Sequence, residues 1–171
     1  MSRFVAVVES QAAQLAGVPS GLTFNGYFAA IPASASGLIR LRRLRWHVRG
    51  PAGSVTSDQH SIAIYRQTVR AAGTGFSTTA WQNTDGNGIP ALAPGIDITT
   101  AAAAGTTGPT IGANALAKTG GNTQIEGEVS FEFPDDQWSV PTGLANAFAL
   151  VNIGNPLPAS HLFVVTAFGE E

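Results

Sequence analysis

Cysteine is absent from the 171 residues, which excludes a disulfide framework, a thiolate metal site and a cysteine nucleophile. Charge is scarce. Only 12% of the residues are Asp, Glu, Lys or Arg, against about 25% in an average soluble domain. Much of the surface must then be Ser, Thr, Asn, Gln, Gly and Ala, and a weakly charged surface is poorly protected against self-association. An oligomer or a larger assembly is the expectation. Long apolar runs are missing as well. The run from Phe4 to Val8 is too short for a signal-peptide core and meets Glu9 at once. No segment approaches the ~20 apolar residues that cross a bilayer as a helix, so neither a secretion signal nor a membrane anchor is expected. The length suits one domain, since single cores commonly hold about 100 to 200 residues.

The motifs of several chemistries are missing too. There is no Walker loop, no G-x-G-x-x-G after a strand and no G-x-S-x-G elbow. The histidines, His47, His60 and His161, lack the i, i+2 or i, i+4 partners of a metal site and read as surface or hydrogen-bonded side chains. Asp135, Asp136 and the row Glu126, Glu128, Glu132 invite a calcium or glycosidase reading. Such sites need a loop that converges the oxygens, and "DGNG" at 85 to 88 is closer to a hairpin turn. No enzyme activity, metal or cofactor is expected.

What is present is mostly a period of two. "HSIAIYRQTV" sets Ile62 and Ile64 against Ser61, Ala63 and Tyr65, predicting a strand over 60 to 69. "TQIEGEVSFEF" alternates apolar residues with Glu126, Glu128, Ser130 and Glu132. "NAFALVNI" is apolar on both parities, as in a strand covered on both faces. "SHLFVVTAF" is a further apolar run. Turn residues in "FPDDQ", "VPTGLAN" and "IGNPLPAS" separate these segments, the pattern of an all-β sandwich or barrel. The Ala-, Gly- and Thr-rich middle, residues 73 to 121, predicts extended arms or an insertion at one end.

The stretch "GLIRLRRLRWHVRG", residues 37 to 50, holds five of the nine basic residues. A helix would align Leu38, Leu41, Leu44 and Val48. A strand puts Ile39 and Leu41 on one parity and Leu44, Trp46 and Val48 on the other, so one extra residue near Arg42 and Arg43 must be absorbed by a β-bulge. In a chain otherwise patterned in twos the strand is favoured. Its arginines then fall on alternating sides, and the chain turns through 50 to 58 to make a hairpin with the strand at 60.

Arginine suits a phosphate backbone, and Trp46 could stack on a base. Against this, the net charge is −2, and the arginines are interleaved with Leu, Ile and Val that need a core. Arginine is also the cation of protein interfaces. Seven of the eleven acidic residues lie from Glu126 to Glu171 and supply counter-charge. The candidate interface is therefore Arg40, Arg42, Arg43, Arg45, Arg49, Arg66 and Arg70 facing Glu126, Glu128 and Glu132, with nucleic acid disfavoured. A carbohydrate- or receptor-binding module is the alternative, with Trp46, Trp81 and Trp138 as a stacking platform, although such rings more often fill cores.

The order of features resembles small jelly-roll-like virion proteins of tailed bacteriophages, those that decorate capsids or form minor head components. "SGLIRLRRLRWHV" leads, then "HSIAIYRQT", a Gly-Thr-Ala-rich passage with "DGNGIPALAPGID", the acidic "EGEVSFEFPDDQWSVPTGLANAFALVN" and the closing "SHLFVVTAFGEE". The resemblance spans residues 36 to 171 and contains no catalytic motif. It implies an antiparallel jelly-roll β-sandwich in residues 36 to 171, preceded in 1 to 35 by an N-terminal arm or the first strands. It also implies a virion location, a homo-oligomer, often a trimer, and contact with the major capsid protein. A tail component would differ only in where the oligomer sits.

Overall fold

The computed structural model describes residues 1–9, 27–32, 39–50, 59–67, 76–93, 95–99, 115–122, 127–130, 139–140, 147–153 and 161–171. Among them the regular structure is all strand, with no helix. The strands are β1 (Arg3–Glu9), β2 (Tyr27–Pro32), β3 (Ile39–Arg49), β4 (Gln59–Gln67), β5 (Phe76–Thr79), β6 (Gln82–Asn83), β7 (Ile96–Thr99), β8 (Ala117–Asn122), β9 (Gly127–Ser130), β10 (Ser139–Val140), β11 (Ala147–Asn152) and β12 (Leu162–Glu170). They form two six-stranded sheets. The first runs β10-β3-β12-β1-β6, with β9 also on β3, and the second runs β5-β7-β2-β11-β4-β8. The pairings are antiparallel throughout.

Alternation of apolar and polar residues directs one face of each sheet inward. Phe4, Ala6 and Val8 of β1, Leu44 and Trp46 of β3, and Phe163 and Val165 of β12 meet Ile31, Ile62, Ile64, Ile96, Phe148 and Leu150 of the second sheet in a single core. Burying each such large side chain contributes roughly 1.5–3 kcal/mol. β11 is buried at every position. Phe148 and Leu150 enter the main core while Ala149 and Val151 join Ala63 and Tyr65 in a smaller cluster on the opposite face of the sheet. The doubly covered strand expected from "NAFALVNI" is thus present, and burial raises the pKa of the Tyr65 phenol above that of a free tyrosine.

One expectation changes. β3 and β4 form no hairpin: β3 pairs with β12, β9 and β10 in the first sheet, and β4 with β11 and β8 in the second. Each strand presents an apolar face to the same core from opposite sides, so the chain crosses between layers instead of folding back. Of the two readings of residues 1 to 35, an arm or the first strands, the described parts are strands. β1 lies between β12 and β6, and β2 between β7 and β11. The middle of the chain extends both sheets, through β6 on the first and β5 and β7 on the second.

Arg66 closes one end of the core. It shares the inward parity of Ile62 and Ile64, its Nη1 donates to the Ser139 carbonyl at 3.2 Å, and its guanidinium lies 5.4 Å from the Phe148 ring centroid. The hydrogen bond joins β4 of one sheet to β10 of the other. Arg66, expected at an interface, thus ties the two sheets together.

Candidate functional site

The outer face of the first sheet gathers most of the chain's positive charge. In β3 the inward residues are Ile39, Leu41, Leu44, Trp46 and Val48, while Arg40, Arg42, Arg43, Arg45, His47 and Arg49 are half-buried or exposed. Pairing with β12 shifts between Phe168, opposite Arg43, and Gly169, opposite Leu41, which leaves Arg42 as an extra residue. The bulge sits where the sequence required one. Its effect is the reverse of the expected alternation: by absorbing one residue it returns Leu41 and Leu44 to the same side and sets all five arginines on the other.

Neighbouring strands complete the face. β1 adds Arg3, Val5, Val7 and Glu9 at its outward positions, with Val7 55% exposed. β12 adds Leu162, Val164, Thr166, Phe168 and Glu170. Six of the nine basic residues of the chain therefore share one face. Arg49 pairs with Glu9. Arg42 Nε stands 3.6 Å from Glu170 Oε1, whose side chain is only 11% exposed. Arg43 lies over the Phe168 ring, 5.9 Å from its centroid. The register sets Glu128 of β9 opposite Arg45. Glu126, Glu132 and Arg70 lie outside the described residues. Glu9 and Glu170, the partners that the sequence reasoning missed, are remote in the chain and come to β3 only through strand order.

The aromatic residues of the alternative reading stand elsewhere. Trp46 is 0% and Trp81 6% exposed, both within the main core. A ring in that position offers no face to a sugar, and Trp138 lies outside the described residues. The histidines remain dispersed: His47 is on the arginine face, His161 is buried against Gly50, and His60 belongs to β4. Among the described residues no three His, Asp or Glu side chains gather to hold a metal ion.

The "DGNG" segment is a clasp at the edge of the face rather than a hairpin between two long strands. Asn83 Oδ1 accepts from the Asp85 N–H at 2.9 Å, and its Nδ2 donates to Asn87 Oδ1 and the Ile89 carbonyl at 2.8 and 2.7 Å. Asn83, Asp85 and Asn87 alternate as oxygen ligands do in a cation loop, but here their side-chain oxygens accept N–H groups of the loop and of Arg3. The loop grips the sheet: Arg3 N–H donates to Asp85 at 2.7 Å, and the N–H groups of Leu92 and Ala93 donate to the Glu171 carboxylate at 2.7 and 2.8 Å.

Comparison with protein-family models, with curated proteins and with solved structures finds no match to this chain.

Proposed function

We propose that this chain is a non-enzymatic structural protein of a virion, a jelly-roll sandwich that decorates a capsid or sits in its head, binding copies of itself and the shell. Strand order supports the fold. Counting β1, β2, β3, β4, β8, β9, β11 and β12 as strands one to eight, the first sheet reads 6-3-8-1 and the second 2-7-4-5. That order matches the jelly-roll order of two interleaved Greek keys, with β5, β6 and β7 added between the fourth and fifth strands and the two-residue β10, which also pairs with β3, between the sixth and seventh.

The observation that carries the function is the arginine face. It concentrates cations in a chain whose net charge is −2, it is interspersed with Val5, Val7 and Phe168, and it is rich in the residue that protein interfaces favour. A patch of that composition suits an acidic protein surface. The virion setting draws on the resemblance of the layout to phage head proteins.

The test is sedimentation of the purified chain at micromolar concentration, alone and with capsids that lack it. An oligomer that binds the shell is expected, and R43E/R45E should remove binding. A strictly monomeric species indifferent to capsids, or assembly unchanged in R43E/R45E, would overturn the reading.

A further inference from the structure

We propose that Asn87, in the clasp loop, is a self-modification site: its side chain closes on the Gly88 nitrogen, releases ammonia and ends as aspartate or isoaspartate, at a rate that the loop raises. This chemistry needs no partner and stands apart from the arginine face.

Asn87–Gly88 is one of two Asn-Gly pairs in the chain, and the other, Asn25–Gly26, lies outside the described residues. A glycine after the asparagine leaves the main-chain nitrogen open to the asparagine's own Cγ, so that attack is intramolecular. Both Asn87 and Gly88 are exposed. Gly88 has φ 70°, which makes glycine the residue for this turn. A β-carbon there would meet nothing within 4 Å, so no packed neighbour resists ring closure. Among the described residues no hydrogen bond holds the Gly88 N–H. Asp85–Gly86 has the same follower, but a carboxylate is a far poorer electrophile than an amide.

The loop also prepares the electrophile. Asn87 Oδ1 accepts from the Ile89 N–H at 3.0 Å and from Asn83 Nδ2 at 2.8 Å. Main-chain groups fix the orientation of both amides. The Ile89 N–H requires an oxygen at its end of Asn87. The Asp85 N–H, on Asn83 Oδ1 at 2.9 Å, turns Asn83 Nδ2 toward Asn87 and the Ile89 carbonyl. The bond from Ile89 closes an Asx turn, which folds Cγ back along the main chain toward the Gly88 nitrogen. Two donors on one oxygen polarise the carbonyl and hold the negative charge that attack places there, as an oxyanion hole does.

In the reaction hydroxide takes the Gly88 amide proton and the nitrogen bonds to Asn87 Cγ. Oδ1 carries the charge between Asn83 and Ile89. The bond from Cγ to Nδ2 then breaks, and Nδ2 takes a proton from water and leaves as ammonia. Water opens the resulting succinimide at either carbonyl, giving aspartate or, with an extra methylene in the main chain, isoaspartate. The net change consumes one water, releases one ammonia and leaves a carboxylate where the loop had a neutral amide.

The experiment incubates the full chain at mildly alkaline pH in heavy-oxygen water, native and unfolded in guanidinium chloride, and maps residue 87 by peptide mass spectrometry with fragmentation that separates aspartate from isoaspartate. Both labelled products are expected, and they should accumulate faster in the native chain than in the unfolded one. N83D keeps the acceptor for the Asp85 N–H and loses the donor to Asn87, and should slow the native rate about tenfold or more. D85A releases the grip on Arg3 but keeps both donors, and should slow it far less. Slower conversion in the native chain than in the unfolded chain, aspartate without isoaspartate, or a rate equally affected by N83D and D85A would overturn the proposal.

Discussion

At Gly50 a β-carbon would stand 2.5 Å from Nε2 and 2.7 Å from Cδ2 of His161, a buried ring at the entry to β12. The ring uses the room that a side chain would occupy, so the glycine is required by close approach. G50A is expected to cost about 1–3 kcal/mol through overpacking, read as a lower midpoint in urea, and the double variant G50A/H161A should recover part of that loss. Tyr65 makes a second prediction. Its phenol pKa is raised by burial, so the folded chain holds that proton to higher pH than the unfolded chain, which releases it near pH 10. The stability tied to the neutral phenol is fully present below about pH 10 and is lost as the pH rises through the folded value. Thermal midpoints at pH 9 and 11.5 should therefore fall more in the native chain than in Y65F, which keeps the buried ring and removes the titration. The burial of Tyr65 was only partly legible in the sequence. Its period placed it opposite Ile62 and Ile64, but nothing local announced that the second face of that sheet is covered as well.

The element that the sequence disclosed best is β3. Leu41 and Leu44 cannot share a face in a regular strand, so the need for a bulge, and its place, followed from parity alone. The direction of the arginines did not, because the same extra residue that reunites the leucines also reunites the charges. A pair of deletions separates these effects. Loss of Arg42 should leave a regular strand with every core side chain in place and give up its contact with Glu170, so the chain stays folded at a cost of about 1–3 kcal/mol. Loss of Arg45 inverts the parity of Trp46, His47 and Val48, turning a fully buried indole outward and an imidazole inward. Because a one-residue slip moves every side chain to the other face, and truncating such a tryptophan alone costs about 3–5 kcal/mol, that chain should be unfolded by circular dichroism and proteolysis. The two variants differ only in which residue of one strand is missing.

For the whole molecule, periodicity told which face of each strand is apolar and stayed silent on which strand lies beside which. The expected hairpin of β3 and β4 failed for this reason: a core between two sheets accepts apolar faces from either layer, and local pattern does not record the layer. Glu9 and Glu170 escaped notice on the same ground, since their proximity to the arginines is a product of strand order. Removing residues 161–171 tests how far that order holds the molecule together. β12 is the strip between β1 and β3, contributing Phe163, Val165 and Ala167 to the core. Without it the first sheet should not form, and the amides of β1 should exchange with solvent at rates typical of an open chain.

The pairing of Arg3 with Glu170, continued by the mutual hydrogen bonds of Ser2 and Glu171 at 2.9 and 3.1 Å, has a consequence in time. During synthesis β1 leaves the ribosome well ahead of β12, its long pairing partner. At about 5–20 residues per second, many seconds pass in which β1 and β3 present unpaired edges to solvent. Contacts of such sequence separation also close slowly. The first sheet closes only once β12 has been made, and a chain of this design depends on whatever shields nascent edges until then.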